Sequence, residues 1–585
     1  MIRERLNALR TLMKQQNIDI YYLNTSDYHL SEYVPEYFKT VAWFSGFTGS
    51  LATLLVTLND AYIFVDGRYY LQADIQCLRY GIKVIKLGTE GALEPLAFLK
   101  ANYPDAVVGL DGKRTNISFA KQLLDQGNQI RSVDIYSPLI QNRTPLSHSR
   151  IYELDNSYAG LSRLRKVKLI THCLKDKVHI VNNLESIAYL LNLRGDDITY
   201  TPVFLAYMVI QDDDVYLFCD LDRFDEDLLD KLYADGIIIR PYDSYYEFLK
   251  TIQKRKIVLD EHKVNYESYL ALSEGNNTFF DRRSIIEDMK AIKNPIEQEN
   301  IRRAHIYDGI AVLRFLMWLE DVDKKTVSEC DCARKINSLR MEAGARDLSF
   351  ASIVAYNENA AVVHYFPEEG KCAMLDDHGI LLFDTGGQYL EGTTDITRTV
   401  ALGEVDEEVK QYFTLVLKSM FALSELKFPA GLSGKQVDIV ARQELWAYGV
   451  DYRHGTGHGV GNYLAVHEGP PNIRYGSTES KNEEVELKPG MVFSDEPGVY
   501  FADRFGIRCE NLVLCQKELE NEYGRFLGFE TLTMVPFDLK LIDRDLLDEK
   551  TIRALNNYHQ KVYDTLAPFI TEEERAYLAE ITRAI

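Results

Sequence analysis

Residues 379–402 read GILLFDTGGQYLEGTTDITRTVAL, and this stretch decides how the last half of the chain folds. An apolar run leads into Asp384, Gly-containing turns follow, and a second run of strand-forming residues leads away from Asp395. Strand, turn and strand in this order predict a β-hairpin. The hairpin would return Asp395 toward Asp384, so that two carboxylates could face one point.

The tripeptide that begins at Asp384, Asp-Thr-Gly, is also found in aspartic proteases, where two copies bring two carboxylates together. A two-lobed aspartic protease needs a second Asp-Thr-Gly or Asp-Ser-Gly, and the sequence contains none. Subunits that carry one copy and dimerise across it are several times shorter than 585 residues. We therefore reject the aspartic protease and pair Asp384 with Asp395.

The same design recurs in residues 491–514, MVFSDEPGVYFADRFGIRCENLVL. Glu496 ends an apolar run, the chain is expected to turn through Gly506, and Glu510 lies in the alternating run IRCENLVL, which predicts a strand. Two hairpins would thus each supply two acids. Four clustered carboxylates repel one another strongly unless a cation neutralises them.

Three histidines, His454, His458 and His467, lie in residues 453–471, RHGTGHGVGNYLAVHEGPP. A glycine-rich phosphate loop is excluded because Val460 occupies the third glycine position of G-x-G-x-x-G. Zinc-protease chemistry of the H-E-x-x-H type is excluded as well, because a glycine follows His454 where the glutamate should be. One imidazole with four carboxylates is a ligand set for two divalent ions.

The bulk composition indicates a globular protein of several domains. The chain has 585 residues, 46% hydrophobic residues and a formal charge of −22, which argues against unassisted binding to nucleic acid or anionic membrane. The N-terminus has no signal-type apolar segment and no run of eighteen apolar residues occurs, so we expect a cytoplasmic protein. The eight cysteines are scattered, with only Cys330 and Cys332 close together, and we expect reduced, mostly buried thiols.

A weak internal repeat divides the first half of the chain. IDIYYLNTSDY (18–28) and DAYIFVDGRYY (60–70) have counterparts in VHIVNNLESIAYL (178–190) and DVYLFCDLDRF (214–224). Two related α/β units are therefore expected, joined by a polar, proline-containing linker at 137–150. Pro295 suits the first turn of a helix, and an α+β domain is expected to begin near it. The predicted domains are 1–150, 151–288 and 289–585, the last with a charged helical extension from about residue 540.

These motifs, taken in order, resemble the three-domain X-Pro aminopeptidases (aminopeptidase P), which are metallopeptidases of the pita-bread fold. SGFTGS (45–50) and VDGRYYLQA (65–73) resemble the first domain of that family, and LRGDDITYTPVFLAYMVI (193–210) resembles the second. The catalytic domain is matched by MKAIKN (289–294), VHYFP (363–367), DTGGQYLEGTTDITRT (384–399), HGTGHGVGNYLAVHEGP (454–470), DEPGVY (495–500) and GIRCEN (506–511). The resemblance implies two creatinase-N-like α/β domains followed by a pita-bread domain.

The resemblance also implies roles for individual residues. Five positions match the metal ligands of the family, with Asp395 and Glu510 as the bridging pair: Asp384, Asp395, His458, Glu496 and Glu510. Glu496 also matches the residue that transfers the proton. His364, His454 and His467 match histidines that handle the substrate, and Tyr500 and Arg508 match residues that support the site.

The implied activity is removal of the first residue from peptides with proline in second position, with two divalent ions, commonly Mn²⁺ and alternatively Zn²⁺ or Co²⁺. A homodimer formed through the catalytic domain is also implied. Two alternatives within the fold stay open: a prolidase that cleaves X-Pro dipeptides, and a methionine aminopeptidase, which the duplicated N-terminal region disfavours. A pita-bread binding protein without metals is disfavoured by the intact ligand set and by the negative charge.

Overall fold

A computed structural model describes residues 1–475 and 484–585, and these residues form two compact units. One unit comprises residues 1–155 and 161–286, and the other comprises residues 156–160 and 287–585. Within the described residues no helix is both long and apolar enough to cross a membrane.

The elements up to residue 291 alternate between helix and strand. The helices are α1 (Ile2–Gln15), α2 (Thr40–Ser45), α3 (Tyr70–Cys77), α4 (Pro95–Asn102), α5 (Ile117–Asp125), α6 (Asn156–Ala159), α7 (Arg163–Leu174), α8 (Leu184–Leu191), α9 (Glu226–Ala234), α10 (Tyr245–Thr251), α11 (Tyr266–Ser273) and α12 (Ile285–Ala291). The strands are β1 (Ile20–Asn24), β2 (Thr53–Thr57), β3 (Ala61–Val65), β4 (Lys83–Lys86), β5 (Val107–Leu110), β6 (Gln129–Ser132), β7 (Tyr152–Glu153), β8 (Lys177–Val181), β9 (Leu193–Arg194), β10 (Tyr207–Gln211), β11 (Asp214–Phe218), β12 (Ile237–Arg240), β13 (Lys256–Leu259) and β14 (Thr278–Asp281).

Two six-stranded sheets of the first unit have the same topology, which confirms the predicted duplication. Their strand orders are β4-β3-β2-β1-β5-β6 and β12-β11-β10-β8-β13-β14. In each sheet the strand that is third in this order, β2 or β10, pairs antiparallel with both of its neighbours, and the remaining three pairings are parallel. Strands such as β2 and β8 are buried almost throughout, because helices cover both faces of a mostly parallel sheet.

The elements from residue 295 onward form the second unit together with α6 and most of α12. The helices are α13 (Pro295–Asp321), α14 (Glu329–Glu342), α15 (Glu407–Ser424), α16 (Gly434–Trp446), α17 (Glu549–Leu566) and α18 (Glu572–Ile581). The strands are β15 (Asp347–Leu348), β16 (Ile353–Tyr356), β17 (Ile380–Thr385), β18 (Gly387–Tyr389), β19 (Gly392–Thr393), β20 (Ile396–Ala401), β21 (Phe428–Pro429), β22 (Gly457–His458), β23 (Asn472–Ile473), β24 (Val492–Asp495), β25 (Gly498–Phe501), β26 (Phe505–Arg508), β27 (Asn511–Asn521) and β28 (Gly524–Thr531).

The helices of the second unit follow the apolar periodicity of the sequence. Helix α13 begins at Pro295, and the side chains of Asn294 and Glu297 form a reciprocal capping box at its start. In α15 the apolar residues at helical spacing, among them Phe413 and Val416, are fully buried. Burial of each such side chain contributes about 1.5–3 kcal/mol, so packing rather than helix propensity holds these helices.

The C-terminal tail forms helices α17 and α18, as expected from its charged, periodic sequence. It is an integral part of the second unit, because Leu555, Val562 and Leu566 of α17 are buried in the same core as α15. Tyr558 of α17 also reaches the polar network beneath the site described below, with its hydroxyl 2.9 Å from Nη2 of Arg398.

The expectation that all the thiols are reduced is wrong for one pair. Cys330 and Cys372 form a disulfide, with Cα atoms 6.2 Å apart. The pairing arises because the loop before β17 returns to the start of α14, where Ala373 N donates to the buried carboxylate of Glu329 at 2.8 Å. The other cysteines are free thiols, of which Cys173 is exposed and the rest are buried.

Candidate metal centre

The first acidic pair is formed by the hairpin that the sequence predicts. Strands β17 and β20 are antiparallel, with Asp384 opposite Thr397 and Thr385 opposite Ile396. Asp395 directly precedes Ile396, so the hairpin brings both aspartates to the same end of the sheet. Asp384 and Asp395 are 8% and 4% exposed, which removes both carboxylates from bulk water.

The second acidic pair lies where β24 and β27 come together. These strands are antiparallel, with Asp495 opposite Asn511, so Glu496 and Glu510 are adjacent at the end of the pair. The small hairpin β25–β26 is inserted between them.

Two details of the predicted second hairpin are wrong. IRCENLVL is not one strand, since β26 ends at Arg508 and β27 begins at Asn511, which places Glu510 in the link between them. Gly506 is not in the turn either: it lies in β26 and pairs with Tyr500. A glycine is needed there because a Cβ at this position would lie 1.8 Å from the carbonyl oxygen of Ala360.

His458 is carried by a short strand that runs along β24. Its backbone N–H donates to Oγ of Ser494 at 2.9 Å, and Glu496 N donates to Thr456 O at 2.8 Å. A Cβ on Gly457 would lie 1.9 Å from Ser494 O, so the glycine permits the two segments to approach closely. The glycine-rich sequence therefore allows this backbone contact, which brings His458 to the acids.

The side chains of these segments converge on one point. Ligand atoms of Asp395, His458 and Glu510 all lie within 4.8 Å of one another. Nε2 of His458 is 3.4 Å from Oδ2 of Asp395 and 3.5 Å from Oε1 of Glu496. Two ligand atoms bound at about 2.1 Å to one divalent ion lie about 3–3.5 Å apart, so these spacings suit a shared ion.

The ring of His458 presents its lone pair to the acids. Nδ1 is 2.9 Å from the carbonyl oxygen of Gly459, which can only accept a hydrogen bond. Nδ1 therefore carries the proton, and Nε2 is left as the acceptor that faces Asp395 and Glu496. A histidine that ligates a metal is usually oriented in this way by a hydrogen bond from its other ring nitrogen.

The electrostatics of the cluster favour a bound cation. Burial raises the pKa of Asp395 well above its usual range, and the neighbouring carboxylates of Asp384 and Glu496 raise it further. Burial likewise raises the pKa of Glu510, with Asp395 as the next contribution, and burial raises the pKa of Glu496. A divalent cation would stabilise the ionised forms of these groups in place of protons.

The side chains at this site suit a divalent cation. Oδ1 of Asp384 and Oε1 of Glu510 are buried and have no hydrogen-bond partner among the described residues. A buried carboxylate oxygen without a partner costs free energy, and a metal ion would supply the missing interaction. Four carboxylates and one imidazole are hard and borderline ligands, which suit Mn²⁺ and Zn²⁺.

A hydrogen-bond network connects Asp384 to His454. Nη2 of Arg508 donates to Oδ2 of Asp384 at 2.6 Å, and Nη1 of Arg508 donates to the Tyr500 hydroxyl at 2.8 Å. The hydroxyl lies 2.9 Å from Nε2 of His454, whose Nδ1 is 2.7 Å from the carbonyl oxygen of Gly455. The Tyr500 hydroxyl therefore donates to His454 and accepts from Arg508. Burial raises the pKa of Tyr500 to about 12, so it stays protonated at neutral pH.

His467 is brought to the ligands, and His364 lies in a neighbouring loop. The ring centroids of His467 and His458 are 4.4 Å apart, with the planes nearly perpendicular. His364 is half-buried and follows the 3-10 turn Asn357–Ala361, which packs against Gly506 of β26. The sequence-predicted residues thus fall into one cluster with two histidine-bearing segments beside it.

Sequence reasoning missed two residues that hold the proposed ligands in place. Thr397 donates from Oγ1 to Oε2 of Glu510 at 2.7 Å and accepts from Nε of Arg508 at 3.1 Å. Arg398 is 1% exposed and donates to the carbonyl oxygens of Thr397, Glu510, Val535 and Pro536 and to Oδ1 of Asn511. In the sequence, one feature could have indicated this role: both residues lie within three positions of Asp395.

Comparison with known proteins agrees with this organisation. Residues 5–143 and 142–297 each match the Creatinase/Prolidase N-terminal domain, residues 299–517 match metallopeptidase family M24, and residues 525–585 match the C-terminal region of that peptidase. The structure of an X-prolyl aminopeptidase from Caenorhabditis elegans, described as a cytosolic enzyme with a di-nuclear active site, is 30% identical and covers all of both chains with a TM-score of 0.94.

The chain also has close relatives in fungi. It is 37% identical to a probable Xaa-Pro aminopeptidase P of Laccaria bicolor, over 98% of this chain and 92% of the relative. It is 38% identical to a probable Xaa-Pro aminopeptidase P of Talaromyces stipitatus, over 98% of this chain and 90% of the relative. With its two creatinase-type N-terminal domains and its pita-bread domain, the chain belongs to the Xaa-Pro aminopeptidase P family.

Proposed function

We propose that this protein is an X-Pro aminopeptidase that releases the first residue of peptides with proline in second position. The observation that carries the proposal is that ligand atoms of Asp395, His458 and Glu510 lie within 4.8 Å of one another, in a chain that belongs to a family whose members bear that name. Asp384 and Glu496 complete the proposed ligand set.

We propose Mn²⁺ as the metal, with Zn²⁺ or Co²⁺ as alternatives, and two ions that would be held by the five ligands, Asp395 and Glu510 among them. The orphan oxygens of Asp384 and Glu510 support direct ligation by both side chains. When bound, the ions would polarise the scissile carbonyl and lower the pKa of the attacking water.

Glu496 would accept the proton of the attacking water and deliver it to the leaving nitrogen of proline. Oε1 of Glu496 lies 3.5 Å from Nε2 of His458, so this carboxylate is at the centre where the water would be held. His467 and His364 would donate hydrogen bonds to the oxygen that becomes negatively charged. Tyr500 and Arg508 would keep Asp384 oriented, and His454 would act on the substrate side of Tyr500.

The free amine of the substrate would bind beside Asp384, which confines cleavage to the first peptide bond. Proline has no backbone N–H and a fixed φ, so its amide needs a pocket shaped for it. A dipeptidase must in addition recognise the free carboxylate of proline, whereas an aminopeptidase must leave that side of the pocket open. The GVGNYLAVHEGPP segment resembles that of the open-ended enzymes and favours the aminopeptidase over the prolidase.

The test compares X-Pro-Y tripeptides with the matching X-Pro dipeptides at equal concentration, using the Mn²⁺-loaded protein. We expect Arg-Pro-Pro-type tripeptides to be cleaved far faster, and an N-acetylated tripeptide to resist cleavage. Faster turnover of the dipeptides would establish a prolidase instead. Full activity in a metal-free preparation would reject the proposed centre.

We further propose three domains with bounds near 1–150, 151–288 and 289–585, and a homodimer formed through the last of them. A cytoplasmic location is supported by the description of the nematode relative as cytosolic.

A further inference from the structure

A buried cluster of two lysines and one glutamate lies beside His467. The side chains of Lys290, Lys293 and Glu468 are 4%, 1% and 2% exposed. Nζ of Lys290 lies 3.2 Å from Oε2 of Glu468, and Nζ of Lys293 donates to Oε1 of the same carboxylate. Both lysines belong to the MKAIKN motif, to which the proposed chemistry assigns no role.

The backbone of this segment is fixed to the segment that carries His458. Glu468 N donates to Gly459 O at 2.7 Å, and Gly459 N donates to Pro471 O at 2.9 Å. A Cβ on Gly459 would lie 2.2 Å from Glu468 O, so the two backbones are in close contact. His467, directly before Glu468, thereby takes up the position in which its ring meets that of His458 at 4.4 Å.

The lysines hold the same segment through its side chain and its backbone. Besides its contact with Glu468, Nζ of Lys290 donates to the carbonyl oxygen of Gly469 at 3.1 Å. Lys293 is itself anchored, since its N–H donates to Gly490 O at 2.8 Å. His467 is therefore followed by two residues whose positions are set by ammonium groups from the start of the catalytic domain.

We propose that Lys290 and Lys293 are positioning residues that hold His467 in place through Glu468, and this inference rests on the role proposed for His467. A cluster that served stability alone would be replaceable by apolar residues without a specific effect on turnover. A positioning cluster, by contrast, affects kcat through His467, because small displacements of a catalytic group cost large factors in rate.

The cluster has two positive charges and one negative charge, so one lysine can be replaced without leaving the other charges unpaired. Two ammonium groups share one carboxylate, so replacing either lysine by methionine leaves one cation paired with one anion. Such a variant contains no unpaired buried charge and is expected to fold. The control is Lys418→Met, which removes a largely buried, ion-paired lysine of the same unit that has no recorded contact with Glu468: Lys418 lies 3.2 Å from Glu444 and 3.8 Å from Asp548.

The experiment measures kcat, KM and bound metal for Lys293→Met and Lys290→Met in the Mn²⁺-loaded protein, alone and combined with His467→Ala. We expect each lysine variant to lose about 10- to 100-fold in kcat, with metal content and KM little changed. In the His467→Ala background the same substitutions should cause no further loss, since residues that act as one unit are non-additive. Lys418→Met should match the parent protein.

Three results would overturn the inference. Losses that multiply in the double variants would show that the lysines act independently of His467. Failure of both single variants to fold would identify the cluster as a stability element. Parental activity in His467→Ala itself would reject the proposed role of His467. This failure can be told apart from failure of the lysine inference, because it appears without any lysine substitution.

Discussion

Replacing Thr397 by valine tests whether the residues behind the ligands set metal affinity. The hydroxyl of Thr397 donates to Oε2 of Glu510 at 2.7 Å and accepts from Nε of Arg508 at 3.1 Å. Valine keeps the branched shape on strand β20, so the packing is preserved while both hydrogen bonds are lost. Glu510 would then be free to turn away from the position in which it faces Asp395 and His458.

The magnitude follows from the charge of the partner. A hydrogen bond to a charged group contributes about 1.5–3 kcal/mol, and each factor of ten in affinity corresponds to about 1.4 kcal/mol. We therefore expect Thr397→Val to weaken metal binding about 10- to 100-fold, the range usual for residues that orient metal ligands. Thr399→Val is the control: on the same strand, the hydroxyl of Thr399 hydrogen-bonds the backbone of Arg508, at 3.1 and 3.3 Å, and no carboxylate among the described residues. Its loss should change affinity by less than about threefold.

The assay is competition for Mn²⁺ against a chromophoric chelator, with circular dichroism to establish that both variants fold. Parental affinity in Thr397→Val would refute the reasoning, because Glu510 would then be held without the hydroxyl. Equal weakening in Thr399→Val would refute it too, since the effect would then belong to the strand rather than to the charged partner.

Four further outcomes are expected. Chelation should abolish activity, and Mn²⁺ should restore it. Asp395→Asn should lose metal and activity together. The control variant Asp538→Asn, which replaces a half-buried acid outside the centre, should keep both. His467→Ala should retain both metals by elemental analysis but lose about 10²-fold in kcat, and loss of metal would make His467 a ligand. Because Asp395, Glu496 and Glu510 have raised pKa values in the metal-free fold, the stability that they contribute is present below their unfolded pKa values and is lost as pH rises through the folded ones. The gap in Tm between Mn²⁺-loaded and chelated protein should therefore widen as pH rises above the unfolded pKa values of these carboxyl groups, and a constant gap would contradict those shifts. Light scattering should give a mass near twice 67.2 kDa, and a monomer mass would count against the dimer.

The hairpins were predictable because the residues that specify the strands and the turn between them are close together in the sequence. The apolar run before Asp384 and the strand residues after Asp395 specify a turn between them, and the antiparallel register Asp384–Thr397 follows. The duplicated N-terminal sheets were predictable for a similar reason, since the repeated runs give strands of the same order. Glu510 was harder: alternation predicted a continuous strand, whereas the inserted hairpin β25–β26 breaks the pairing just before it.

The residues that hold the centre could not be read from the sequence because their partners are distant along the chain. Lys293 contacts Glu468, which is 175 residues away in the sequence, and Arg398 contacts Tyr558, which is 160 residues away. Nothing near either residue indicates its partner, since a lysine or arginine in a helix-rich sequence most often lies on the surface. The Cys330–Cys372 pair illustrates the same limit, because the spacing of cysteines indicates neither their distance in space nor their partners.

The contacts of Arg398 have a consequence for biosynthesis. This buried guanidinium ties β20, next to Asp395, to the backbone at Glu510, and it does so with oxygens from residues 535, 536 and 558. Domains generally fold in order as they leave the ribosome, and the first unit needs only residues up to 286. The metal-binding half must instead wait until helix α17 has been made. We therefore expect metal insertion to follow the synthesis of α17, because a nascent chain that stalls before residue 558 carries all five proposed ligands but lacks the contact of Arg398 with Tyr558.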